Sequence, residues 1–98
     1  MPRRIIHQIR AAIPNATYDM TLHAVEEMAE DELDLIDVET AILNGRPIKT
    51  ERDDPRGPRY ILHGTGADGM TPVGTVGRFT EPGYYLIITV YKVAELET

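Results

Sequence analysis

Ile5, Ile6, Ile9 and Ile13 recur at helical spacing, which predicts a first helix opened by Pro2 and closed by Pro14. Asn15 to Met20 reads as a connection. Thr21 is a usable N-cap for a second helix. At about 100° per residue, Leu22, Val25, Met28 and Ala29 share one face of that helix. His23, Glu26, Glu27 and Glu30 share the other. Asp34 followed by Asp37 has the form of a capping box with Asp in place of Glu. Leu35, Val38, Ala41 and Ile42 then make the buried stripe of a third helix, flanked by a second apolar stripe of Ile36 and Leu43. Asn44-Gly45 stops it, and Pro47 prevents resumption.

From Arg46 the period falls to two. Pro47 to Arg52 reads as an edge strand, followed by a turn at Asp54-Pro55-Arg56-Gly57-Pro58. Tyr60 to His63 is a short strand, Gly64 to Gly69 a flexible, glycine-rich hairpin connection, and Pro72 to Phe79 a strand weakened by Gly74 and Gly77. Glu81-Pro82-Gly83 turns the chain into Tyr84 to Val93, the strongest strand signal. Simple alternation sends Tyr84, Leu86, Ile88 and Val90 one way and Tyr85, Ile87, Thr89 and Tyr91 the other. Both sets are largely apolar, so this strand is expected to be central. The tail, residues 94–98, is expected to fray. The fold class expected is therefore α+β: three N-terminal helices packed on one face of a four-stranded, mostly antiparallel sheet.

The chain has 98 residues, a one-domain length, so residues 1–98 are read as a single domain. A chain this short buries roughly 60–68% of its unfolded surface, which allows one modest core. The longest apolar run, Tyr84 to Ile88, is strand length and far from the ~20 residues of a membrane span. Arg3 and Arg4 are not followed by an apolar stretch, so no secretory signal is read. Cysteine is absent, which removes disulfides and thiolate metal sites and fits a reducing cytoplasmic setting.

The net charge of −6 is unevenly spread. From Asp19 to Glu39 every charged side chain except His23 is acidic. From Arg46 to Arg59 the basic residues Arg46, Lys49, Arg52, Arg56 and Arg59 outnumber the acids. The acidic whole argues against broad nucleic-acid affinity, while the basic strip suits a small site.

Few residues carry chemistry. Gly64-Thr65-Gly66-Ala67-Asp68-Gly69 has the letters of a dinucleotide fingerprint, but Met70-Thr71-Pro72 cannot open the helix that would receive a pyrophosphate. His7, His23 and His63 lie on three separate elements without metal-ligand spacing, so no metal or cofactor is expected. The acidic run lacks the central glycine and alternating ligands of a calcium loop. With no serine and no cysteine, hydrolysis through either nucleophile is ruled out. What remains is metal-free acid–base chemistry by His, Arg and Tyr, or none. His23 stands out, at a helix start and away from the apolar face. It needs a partner from the sheet, and Arg78, Arg59, His63 and Tyr91 are the candidates.

Several strings together resemble a known family. They are Thr21-x-His23-Ala24 with Met28, Val38-x-x-Ala41-Ile42-x-x-Gly45, Asp54-Pro55-Arg56-Gly57-Pro58 and Ile87-Ile88-Thr89-Val90-Tyr91. The chain is similar over about 21–91 to the domain-of-unknown-function family 4258 (DUF4258). The resemblance implies a fold like that of the RelE-like ribonuclease toxins of toxin–antitoxin systems. Three positions depart from the family pattern. Glu27 stands where an Arg is usual, Asp31-Glu32 where Arg-Gly is usual, and Gly74 where a strand His is usual.

On that resemblance the leading expectation is a metal-independent, RNA-cleaving or RNA-binding domain. His23 would serve as the acid–base group, Arg78 as the phosphate-binding group and Tyr91 as the positioning group. RNA or an antitoxin-like protein would be its partner, without a membrane. The competing expectation is a non-catalytic interaction module working through the acidic helix face or a sheet edge. A third is a small-ligand domain using the Tyr-rich strand. Tyr84, Tyr85 and the short edge strand are compatible with a homodimer.

Overall fold

The structure, a computed structural model, describes residues 1–94. Beyond Ala94 the expected frayed tail lies outside the described residues. Three helices and five strands follow in the order α1 (Arg3–Ala12), β1 (Tyr18–Met20), α2 (Leu22–Glu30), α3 (Leu35–Asn44), β2 (Arg46–Glu51), β3 (Arg59–Thr65), β4 (Pro72–Glu81) and β5 (Tyr84–Lys92). They build one sheet in the order β1-β5-β4-β3-β2.

The helix boundaries follow their local chemistry. The Thr21 side chain caps α2 by accepting from the Ala24 N–H at 3.1 Å. At the start of α3 the Asp37 carboxylate accepts from the Asp34 N–H at 2.9 Å. The same carboxylate accepts from the Ala67 N–H at 2.9 Å, which ties the glycine-rich connection to α3. Asp68 holds that connection from inside, accepting from the N–H groups of Met70 and Thr71 and from the Thr71 hydroxyl. The segment expected to be flexible is thus a braced hairpin turn.

The sheet departs from the expected four-stranded, mostly antiparallel form. It has five strands and is mixed, because Tyr18–Met20 pairs parallel with Tyr85–Ile87 of β5. Three residues are too few for a two-residue period to show, so this segment reads as a connection in the sequence. From β1 the chain reaches β5 only after two helices and the other three strands, a long crossover of the kind a parallel pair requires.

The expected arrangement of three helices on one sheet face also fails, at α2. That helix runs along the edge of β5 beyond the end of β1. The Thr21 N–H donates to the Ile87 carbonyl at 3.0 Å, and its hydroxyl donates to the Ile88 carbonyl at 3.1 Å. About two and three turns later, Glu27 accepts from the Val90 N–H at 3.0 Å and Asp31 from the Lys92 N–H at 3.1 Å. Side-chain carboxylates therefore satisfy the strand donors that a longer β1 would have met, and they close an exposed edge.

A bulge decides which residues of β5 reach the core. Val76 pairs with Thr89 and Gly77 with Ile87, leaving Ile88 as an extra residue. Tyr85, Ile87 and Val90 consequently all face the helices and are buried, contrary to simple alternation. They join Tyr60, Leu62, Val73 and Thr75 from the neighbouring strands, Val38, Ala41 and Ile42 from α3, and Ile6, Ile9, Ala12 and Ile13 from α1. The Tyr85 ring lies across Gly77, where a Cβ would overlap it. Ile61, His63, Val76, Arg78, Leu86, Thr89 and Tyr91 point to the opposite face, which carries no helix among the described residues.

Candidate functional site

Strand pairing places four residues of the helix-free face in one cross-strand row. Arg46 is opposite His63, His63 opposite Gly74, and Gly74 opposite Tyr91. His63 and Tyr91 are thus separated by a whole strand, yet His63 Nε2 and Tyr91 Oη lie 2.8 Å apart. The reason is Gly74. Tyr91 lays its ring across the bare backbone there, in space a Cβ would occupy. The two rings meet edge to face, with centroids 5.7 Å apart and planes at 82°.

The electrostatics of the row favour a neutral imidazole. Partial burial lowers the pKa of His63 from its ordinary value, and the nearby Arg46 guanidinium lowers it further. Burial raises that of the Tyr91 phenol. At neutral pH the pair is uncharged and holds a hydrogen bond between two groups able to exchange a proton.

A cleft of about 510 Å³ opens beside the pair, lined by Asn44, Arg46, His63, Gly64 and Thr65, with Pro72 and Val93 at its end. No carboxylate lines it among the described residues. Both ends of the Asn44 amide are taken by the Thr65 backbone, at 2.9 and 3.0 Å, so Asn44 shapes the wall and offers little to a ligand. Arg46 is exposed and has no carboxylate partner among the described residues. Elsewhere in the basic strip, Arg59 pairs with Glu51 at 2.8 Å and Arg56 with Asp54 at 3.1 Å. Arg46 is accordingly the cation best placed to hold an anion over His63.

The three residues that the sequence singles out do not converge. Tyr91 joins His63. His23 sits on α2 with Nε2 3.1 Å from the Glu27 carboxylate, the group that also anchors Val90. Arg78 shares the helix-free face but stands opposite Leu86, four residues along β4 from Gly74, or about 13 Å at 3.3 Å per residue. It has no ion-pair partner among the described residues. Nor do three His, Asp or Glu side chains gather as a metal site among those residues.

His63 enters the sequence reading as one of three scattered histidines and one possible partner for His23, and Arg46 as part of a basic strip. Their grouping depends on register, which a single sequence does not show. The signal present was Gly74, since a glycine inside a strand marks a close approach.

No curated protein and no solved structure matches this chain. The family model described as a domain of unknown function, DUF4258, matches residues 20–92, a span that contains the whole Arg46–His63–Gly74–Tyr91 row. With about three-quarters of its length matched, from the last residue of β1 to the end of β5, the chain belongs to the DUF4258 family.

Proposed function

We propose that the helix-free face of the sheet binds RNA and cleaves it without a metal, in the manner of the RelE-like ribonuclease toxins whose fold the DUF4258 resemblance implies. The observation that carries this reading is the His63–Tyr91 pair, held at 2.8 Å beside Arg46, which has no carboxylate partner among the described residues, on an open face. RNA supplies its own nucleophile, so the absent serine and cysteine are not needed. His63 Nδ1 takes the proton of the ribose 2′-hydroxyl, whose oxygen attacks the adjacent phosphorus. Tyr91 Oη gives its proton to the departing 5′-oxygen as the P–O5′ bond breaks. The products are a 2′,3′-cyclic phosphate and a 5′-hydroxyl. The imidazolium then returns a proton from Nε2 to the phenolate, and Arg46 offsets the charge on the phosphate meanwhile.

Two of the three departures from the family pattern fit this reading. Where the family's usual strand His is Gly74, the directly opposite residue is His63, so an imidazole is still supplied to the same row. Where an Arg is usual on α2, Glu27 holds the β5 edge, a structural task. Arg78, further along the face, would hold a neighbouring phosphate, and His23 would flank the strand edge.

The test is incubation of purified protein with end-labelled RNA in EDTA, with and without ribosomes, together with induced expression in cells. Growth should slow, and cleaved ends should carry 2′,3′-cyclic phosphate. His63→Ala should reduce the rate by roughly 10²–10⁴-fold. Intact RNA in both settings and unaffected growth would end the ribonuclease reading.

A further inference from the structure

We infer that the groove between α2 and α3, over β1, is a docking site for a cationic amphipathic helix of another protein. This surface lies away from the His63 row and stands or falls separately from it. Tyr18 and Met20 form the floor, and Val25, Met28 and Leu35 the walls, around a volume of about 460 Å³. The apolar lining continues onto open surface. Val25 is 40% exposed, Leu35 44% and Leu22, one turn before Val25, 73%. Exposed apolar side chains grouped beside a groove mark an interaction site more often than singly scattered ones do.

The charge around the groove selects its occupant. Asp19 lines it, Glu26 and Glu30 project from the next face of α2, and Glu32 and Asp34 precede Leu35. Between Asp19 and Gly45 there is no Lys or Arg. Such a rim repels nucleic acid and anionic lipid, and it attracts a partner bearing Lys or Arg beside its apolar stripe. No helix of a second copy supplies that combination among the described residues. Its basic helix, α1, carries Arg3, Arg4 and Arg10, but the apolar stripe of α1, Ile6, Ile9, Ala12 and Ile13, is already buried in its own core.

The shape selects a helix over a strand. β1 is a three-residue edge, too short for a useful added ladder. A trough bounded by helices of 9 and 10 residues can seat a third helix by ridge-into-groove packing. The partner would present apolar residues at i, i+4 and i+7 over roughly 9–10 residues, the length of α2.

The probe is a labelled 15-residue helix-forming peptide with Leu at i, i+4, i+7 and i+11 and Lys at most other positions. The controls are a scramble of the same composition and a version with Glu replacing Lys. The 98-residue chain should bind the amphipathic Lys peptide at least tenfold more tightly than either control. Val25→Glu and Leu35→Glu, both at exposed positions, should each weaken binding at least tenfold with circular dichroism unchanged. These variants add negative charge, so attraction by charge alone would strengthen instead. His63→Ala should leave peptide binding unaltered. Equal binding of the scramble, undiminished binding by the Glu variants, or a homodimer that Val25→Glu dissociates would each overturn the proposal.

Discussion

Gly74→Ala is the substitution that separates the candidate site from the fold. A Cβ at residue 74 would overlap Cζ, Cε2 and Oη of Tyr91, so the ring must leave its place across β4. The ring is only partly buried and can swing outward, unlike the Tyr85 ring over Gly77. Leaving breaks the hydrogen bond to His63, a loss of about 0.5–1.5 kcal/mol. Replacing a strand glycine by alanine recovers about 0.5–1 kcal/mol of backbone entropy. The two nearly cancel, so stability should change by less than about 1 kcal/mol, a shift of at most roughly 8 °C in Tm for a domain this size. The imidazole, by contrast, gains water. Its titration midpoint, followed by NMR of the histidine ring carbons, should rise part of the way towards the ordinary ~6.5, with Arg46 still holding it down. An unchanged midpoint would show that Tyr91 does not shield His63, and the site as described would fail.

Three further outcomes follow from the same geometry. The folded pKa of His63 is lowered, so below pH ~6.5 the unfolded chain binds the extra proton first and stability declines as pH falls towards the folded value. His63→Gln should remove that part of the decline between pH 7 and 5 in urea titrations and leave the pH dependence above pH 7 as it is in the unsubstituted chain. Glu27→Ala leaves the Val90 N–H without its acceptor, at about 1–3 kcal/mol, and amide exchange at Val90 should accelerate. Asp37→Ala removes acceptors for both Asp34 and Ala67, and should lower stability by about 1–3 kcal/mol while freeing the Ala67 amide to exchange.

The helices were legible because each carries its own signals within a few residues. Thr21, the Asp34/Asp37 pair and the isoleucine spacing of α1 act locally, and the structure uses all of them. The four longer strands were legible for the same reason. What the sequence hid was set by partners distant in the chain. Tyr18–Met20 becomes a strand only because β5 offers it an edge. Ile88 bulges only in relation to the pairing of Val76 and Gly77, so its effect on Val90 lies outside the reach of alternation. The candidate site belongs to the second kind. Arg46, His63, Gly74 and Tyr91 span three hairpin registers, and α2, which drew attention to His23, proves to be an edge cover held through Glu27.

The central claim is that ligand chemistry occurs on the helix-free face at the His63 row. The most direct measurement is an NMR titration of isotope-labelled chain with a short, uncleavable 2′-O-methyl RNA oligonucleotide. The account predicts saturable shifts at Arg46, His63, Gly74 and Tyr91, weakening towards Arg78 and absent from the α2–α3 groove. No shifts, or shifts confined to α2 and α3, would contradict it.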